Sequence, residues 1–151
     1  MNQLNKSISK LASYSSEFSK IKPEISEANI GWHIIHSCLV ITSVTKSIVQ
    51  SDPINFKKKF SFVAFYVLLS KKFPRGIAKA PSFTHPQNEI TESSINEVIQ
   101  EARKSLDLLA RAASNQYFTH PIFGDLQLRK AIKFLGVHTY HHEKIIRDIL
   151  K

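Results

Sequence analysis

A single cysteine, Cys38, stands among 151 residues. No intramolecular disulfide can form, and a cysteine-ligated zinc knuckle is excluded. Glycine and proline are scarce too, at four and six, which argues against a loop-rich β architecture. No uninterrupted apolar run reaches the roughly 18 residues that a membrane span needs. The longest candidate, Phe60 to Leu69, is bounded by lysines on both sides. The stretch MNQLNKSISKLASYSSEF is polar and has no apolar core of a secretory leader. A cytoplasmic setting is therefore expected, and the sparse cysteine fits it.

What is present is enough for one globular domain over residues 1–151, with 42% apolar residues to fill a core. The net charge is +9. Much of the excess lies between Lys57 and Lys79, from FKKKFSF through SKKFPRGIAKA. Such a patch can meet phosphates or anionic substrates. No helix-turn-helix pattern or RNA-binding signature accompanies it, so the charge reads as a solvated face plus a loop, and nucleic acid is not an expected partner.

Leu4, Ile8, Leu11 and Phe18 recur at the spacing of one amphipathic stripe, a first helix ended by Pro23. A second runs from after Ser26 to about Gln50, apolar nearly all round. A third, shorter one covers about Asn55 to Phe73. Pro74 to Thr91 carries three prolines and a glycine and reads as a long ordered loop. Ser94 with Glu97 forms a capping-box pattern before a fourth helix whose apolar face is Ile95, Val98, Ala102, Leu106 and Leu109. SNQYFTHPIFGD is a second connector, and Asp125 is placed to cap a last helix from Leu126 to about Leu150. Five helical segments without a clear strand predict an all-α bundle.

Three histidines crowd into HTYHH. At about 100° per residue, His138 lies amid Leu128, Ala131, Leu135, Ile145 and Ile149, with His142 about 40° away and His141 about 60° off on the other side. The i, i+4 spacing sets the rings of His138 and His142 side by side, one turn apart. Two imidazoles on an inward face are costly unless they are hydrogen-bonded or metal-bound, and two ligands do not make a site. The second helix supplies further candidates in GWHIIHSCL. His36 shares a face with Trp32, Leu39, Val40 and Ser43 and is expected to point into the bundle; a rotated helix would present His33 instead. Three imidazoles from two helices are the usual protein share of an open zinc-type site. Cys38 lies about 160° from His36, and Glu143 about 140° from His138. Neither is aimed at that point, and Glu143 reads as a surface salt-bridge residue.

Together, GWHIIHS, FPRGIAKAP, HPIFG and HTYHH resemble a domain-of-unknown-function branch of the DinB/YfiT-like metalloenzyme superfamily, from about Ile30 to the carboxyl terminus. The resemblance implies an up-and-down four-helix bundle, here with an additional short helix and a long ordered loop. It also implies a divalent metal on His36, His138 and His142, with zinc or nickel foremost and manganese or iron as alternatives. His33 and His141 would then sit in a second shell or at the pocket rim. His120, in HPIFG, would line the pocket mouth or fix the turn, with the structural role preferred. Many relatives carry glycine and a basic residue after the histidine pair, where this chain has EKI. By the same analogy, the metal would activate a small thiol or water in an S-transferase, isomerase or hydrolase. The basic Lys71–Lys79 loop would hold the carboxylates of an acidic low-molecular-weight thiol, and a homodimer without a membrane partner is expected. The contrasting reading is a non-enzymatic bundle with a structural or vestigial metal site.

Overall fold

Asn29 begins the helix that organises the molecule. Its side-chain oxygen accepts the backbone N–H of Trp32 at 2.8 Å, a cap of the kind that stabilises a helix by about 1 kcal/mol. From there α2 runs over Ile30–Gln50. Ile34, Ile41 and Ile48, at a spacing of seven, are fully buried, and burying each such side chain stabilises by roughly 1.5–3 kcal/mol. By length and composition α2 is apolar enough to cross a membrane, although polar residues interrupt its apolar run, and 61% of its most apolar stretch is buried inside the fold, as in a core helix.

The computed structural model describes residues 1–58, 61–70 and 81–151. Among them are α1 (Asn2–Ala12), α2, α3 (Phe62–Ser70), α4 (Glu92–Ala110) and α5 (Leu128–Ile149), with one hairpin, β1 (Tyr117–His120) and β2 (Gly124–Gln127), between α4 and α5. The predominantly helical class expected from the sequence is borne out. α1 and α2 each pack against both α4 and α5. α3 turns Ala64, Val67 and Leu68 inward and leaves Phe62, Tyr66 and Leu69 exposed.

Several expectations need correction. The first helix stops at Ala12, and a 3-10 turn at Ser15–Glu17 carries the chain on toward Pro23. The capping box before α4 lies three residues earlier than read, between Thr91 and Ser94, whose side chains each accept the other's backbone N–H. The connector before α5 holds two short strands, with Phe118 opposite Leu126 and His120 opposite Gly124. Four-residue strands with one polar side are too short for periodicity to reveal. Gly124, at φ 71°, closes their three-residue turn in a conformation that favours glycine. Asp125 belongs to this hairpin and does not cap α5. Its carboxylate accepts from the Lys57 backbone N–H at 2.7 Å and from Thr119 Oγ1 at 2.7 Å. The third helix is described only over Phe62–Ser70, and the basic loop Lys71–Lys79 lies outside the described residues.

The segment before α2 is tied back onto it. Gly31 and Ile30 donate backbone N–H groups to the carbonyls of Phe18 and Lys20. A Cβ at Gly31 would lie 2.5 Å from Ile90 Cγ2 and 3.2 Å from Phe18 Cβ. Only glycine allows both segments to approach the first turn of α2 this closely. That approach brings Ser26 and the 81–91 segment beside the histidines.

Candidate metal centre

His33 and His36 rise from the first two turns of α2, and His138, His141 and His142 from the middle of α5. The packing of α2 on α5 brings three of the rings to one point. Centroids of His36, His138 and His142 are separated by 4.7–5.1 Å. One ring nitrogen from each lies within 4.8 Å of the others, a grouping that can hold a metal ion. His36 and His142 are buried, at 3% and 7% exposure, and His138 is half-buried.

Hydrogen bonds bear on which nitrogens are available. His36 Nδ1 lies 2.9 Å from the carbonyl oxygen of Thr84. A carbonyl only accepts, so Nδ1 carries the hydrogen and Nε2 the lone pair. Thr84 is itself buried and held by its hydroxyl's bond to Pro81 O at 2.7 Å. His142 Nδ1 is 2.9 Å from His33 Nδ1; when His142 is the donor of that pair, its Nε2 is the nitrogen for an ion. His33 Nε2 in turn meets Ser26 Oγ at 3.0 Å, and Ser26 Oγ accepts the N–H of Ala28. Liganding histidines regularly have the second ring nitrogen tied in this way. The donor set therefore fits a divalent ion with nitrogen preference, as zinc, nickel, copper and iron have.

Electrostatics favour the same protonation states. Burial pushes the pKa of His138 and His142 well below the usual imidazole range, and the neighbouring histidines push it further. Burial also lowers that of His36, partly offset by its bond to Thr84. Neutral imidazoles keep a lone pair for coordination, whereas imidazolium rings would repel an ion.

Trp32 forms one wall. Its indole stacks on His36 at 4.7 Å and 16°, and meets His33 and His85 edge-on at 5.2 and 5.5 Å. His141, half-buried, stands edge-on to His142 at 5.1 Å, at the margin of the group. His120 is elsewhere in function: its Nδ1 accepts the backbone N–H groups of Ile122 and Phe123 at 3.1 and 3.2 Å and locks the hairpin turn. Glu143 lies 3.7 Å from Arg147 on the next turn. Cys38 is fully buried, and desolvation raises its pKa to about 12, so it is no nucleophile at neutral pH.

Two participants were missed in the sequence. Thr84 contributes a backbone carbonyl, which carries no side-chain signal. Ser26, read only as a helix boundary, supports His33. His33, expected either in place of His36 or in a second shell, is as buried as His36, at 3% exposure, and its ring meets His142.

No family model, curated protein or solved structure matches this chain.

Proposed function

We propose that the protein is a divalent-metal-dependent enzyme whose site is His36, His138 and His142. The observation that carries the reading is the convergence of three imidazole nitrogens within 4.8 Å. The neutral, hydrogen-bonded state of two of those rings supports it. A three-histidine ion leaves coordination positions open and acts as a Lewis acid that acidifies a small thiol or a water molecule reaching it. On this reading, His36 and His142 present Nε2 to the ion, Thr84 orients His36, and Trp32 walls one side. The resemblance of the GWHIIHS, HPIFG and HTYHH motifs to the DinB/YfiT-like superfamily favours a four-helix bundle and S-transferase, isomerase or hydrolase chemistry on a small substrate. Zinc and nickel are the first ions to test.

Untagged protein, purified and dialysed, should contain close to one divalent ion per chain by elemental analysis. Metal-free protein that takes up none of zinc, nickel, manganese or iron would sink the reading. A structural metal site is the second reading, favoured by the deep burial of His36 and His142. It predicts a large rise in melting temperature on loading and no conjugation of small thiols across a panel of electrophiles. The enzymatic reading predicts conjugation, isomerisation or hydrolysis that is lost with the ion.

A further inference from the structure

Two of the rings reach the same centre under different constraints. The partner of His36 Nδ1 is a carbonyl, which permits one hydrogen placement. The partner of His142 Nδ1 is another imidazole nitrogen, His33 Nδ1, at 2.9 Å, which permits two. If His142 Nδ1–H donates, its Nε2 keeps the lone pair and can bind an ion. His33 must then carry its hydrogen on Nε2 and donate to Ser26 Oγ, 3.0 Å away. If His33 Nδ1–H donates instead, His142 carries its hydrogen on Nε2 and cannot coordinate through it. Ser26 would then donate its hydroxyl hydrogen to His33 Nε2. Each ring holds one hydrogen in either arrangement, so no net proton is gained or lost between them.

Resting on the proposed metal site, we infer that His33 is a positioning residue for it, and that a bound ion requires the chain to run from His142 through His33 to Ser26. His33 is buried, at 3% exposure, and both its ring nitrogens face partners that can complete this order. Its bond to His142 supplies the acceptor that a liganding imidazole needs for its second N–H. Without it, a buried N–H would lose its partner whenever the ion was bound.

The test uses the full chain and zinc alone. Competition titration should show His33→Ala binding zinc about 10- to 100-fold more weakly than wild type, the range seen for such outer partners, with one ion per chain retained. His33→Asn, whose amide oxygen can accept near the place of Nδ1, should recover most of the loss. In the zinc-loaded wild type, long-range proton–nitrogen correlation spectra should show His33 as the Nε2–H tautomer, a readout that a packing role would not dictate. Wild-type affinity in a folded His33→Ala chain, or an Nδ1–H tautomer for His33 in loaded protein, overturns the inference. If His33→Ala does not fold, His33→Asn and the tautomer decide it. Wild-type protein that binds no zinc, nickel, manganese or iron ends the metal reading underneath, whereas zinc uptake indifferent to His33 ends only this one.

Discussion

Two places in the molecule enclose histidines, and they use them differently. At the hairpin, His120 packs face to face on Phe123 at 4.1 Å and edge-on to Phe134 at 5.0 Å, while its Nδ1 is occupied by two backbone N–H groups. Between α2 and α5, each ring has another ring as a neighbour, and the nitrogens converge. Burial depresses the pKa in both places, to about 4 for His120. A depressed pKa therefore does not identify a ligand. What separates the two sets is whether the lone pairs meet backbone donors or one another.

The strongest way to break this contrast is metal content. His138→Ala and His142→Ala should each abolish stoichiometric uptake, measured by elemental analysis after dialysis, while His120→Ala should keep one ion per chain. A folded His120→Ala chain that lost its metal would erase the distinction.

Stability should divide the other way. His120→Ala removes the acceptor of two backbone N–H groups at the turn, one of them part-buried, and urea unfolding should report a loss of about 0.5–1.5 kcal/mol. A neutral result would mean that the turn holds without its acceptor.

The next effect concerns acid. His120 has a folded pKa of about 4 against an ordinary 6.5, so between these values the unfolded chain binds the proton that the folded chain refuses. Stability of metal-free protein should be complete above about pH 6.5 and fall progressively toward pH 4. His138 and His142, depressed in the same direction, add to the slope. Denaturation midpoints at several pH values should show a shallower fall for His120→Asn than for wild type. Equal slopes would remove His120 from the account.

The smallest effect belongs to His141, at the edge of the cluster. His141→Ala should bind zinc within a few-fold of wild type in the same competition assay. A loss as large as that of His142→Ala would move His141 into the ligand set.

Much of this was legible in the residues. The i, i+4 pair of His138 and His142 on an apolar stripe places both rings on one face, and helical geometry alone brings them together. His36 is legible from the face it shares with Trp32 and Leu39. His33 is legible as a residue of a second shell or the pocket rim, but its bond to His142 is not, because that depends on how α2 sits against α5. Nor is the hairpin, since four-residue strands give too few alternations to compete with a helical reading. The Thr84 carbonyl is common to every residue type, and only the fold selects it. The shift of the α4 cap from Ser94 to Thr91 has a similar origin: serine, threonine and glutamate offer overlapping patterns over Thr91–Glu97, and backbone geometry chooses among them.

Trp32 is the one tryptophan in the chain, and its indole lies flat against a ring of the triad. The protein's tryptophan emission therefore comes from a side chain stacked on the three-histidine group. A copper or nickel ion arriving there would quench that emission at short range, and zinc would alter it without an open-shell pathway. On the proposed metal reading, occupancy would be followed optically in the native chain, with no label attached.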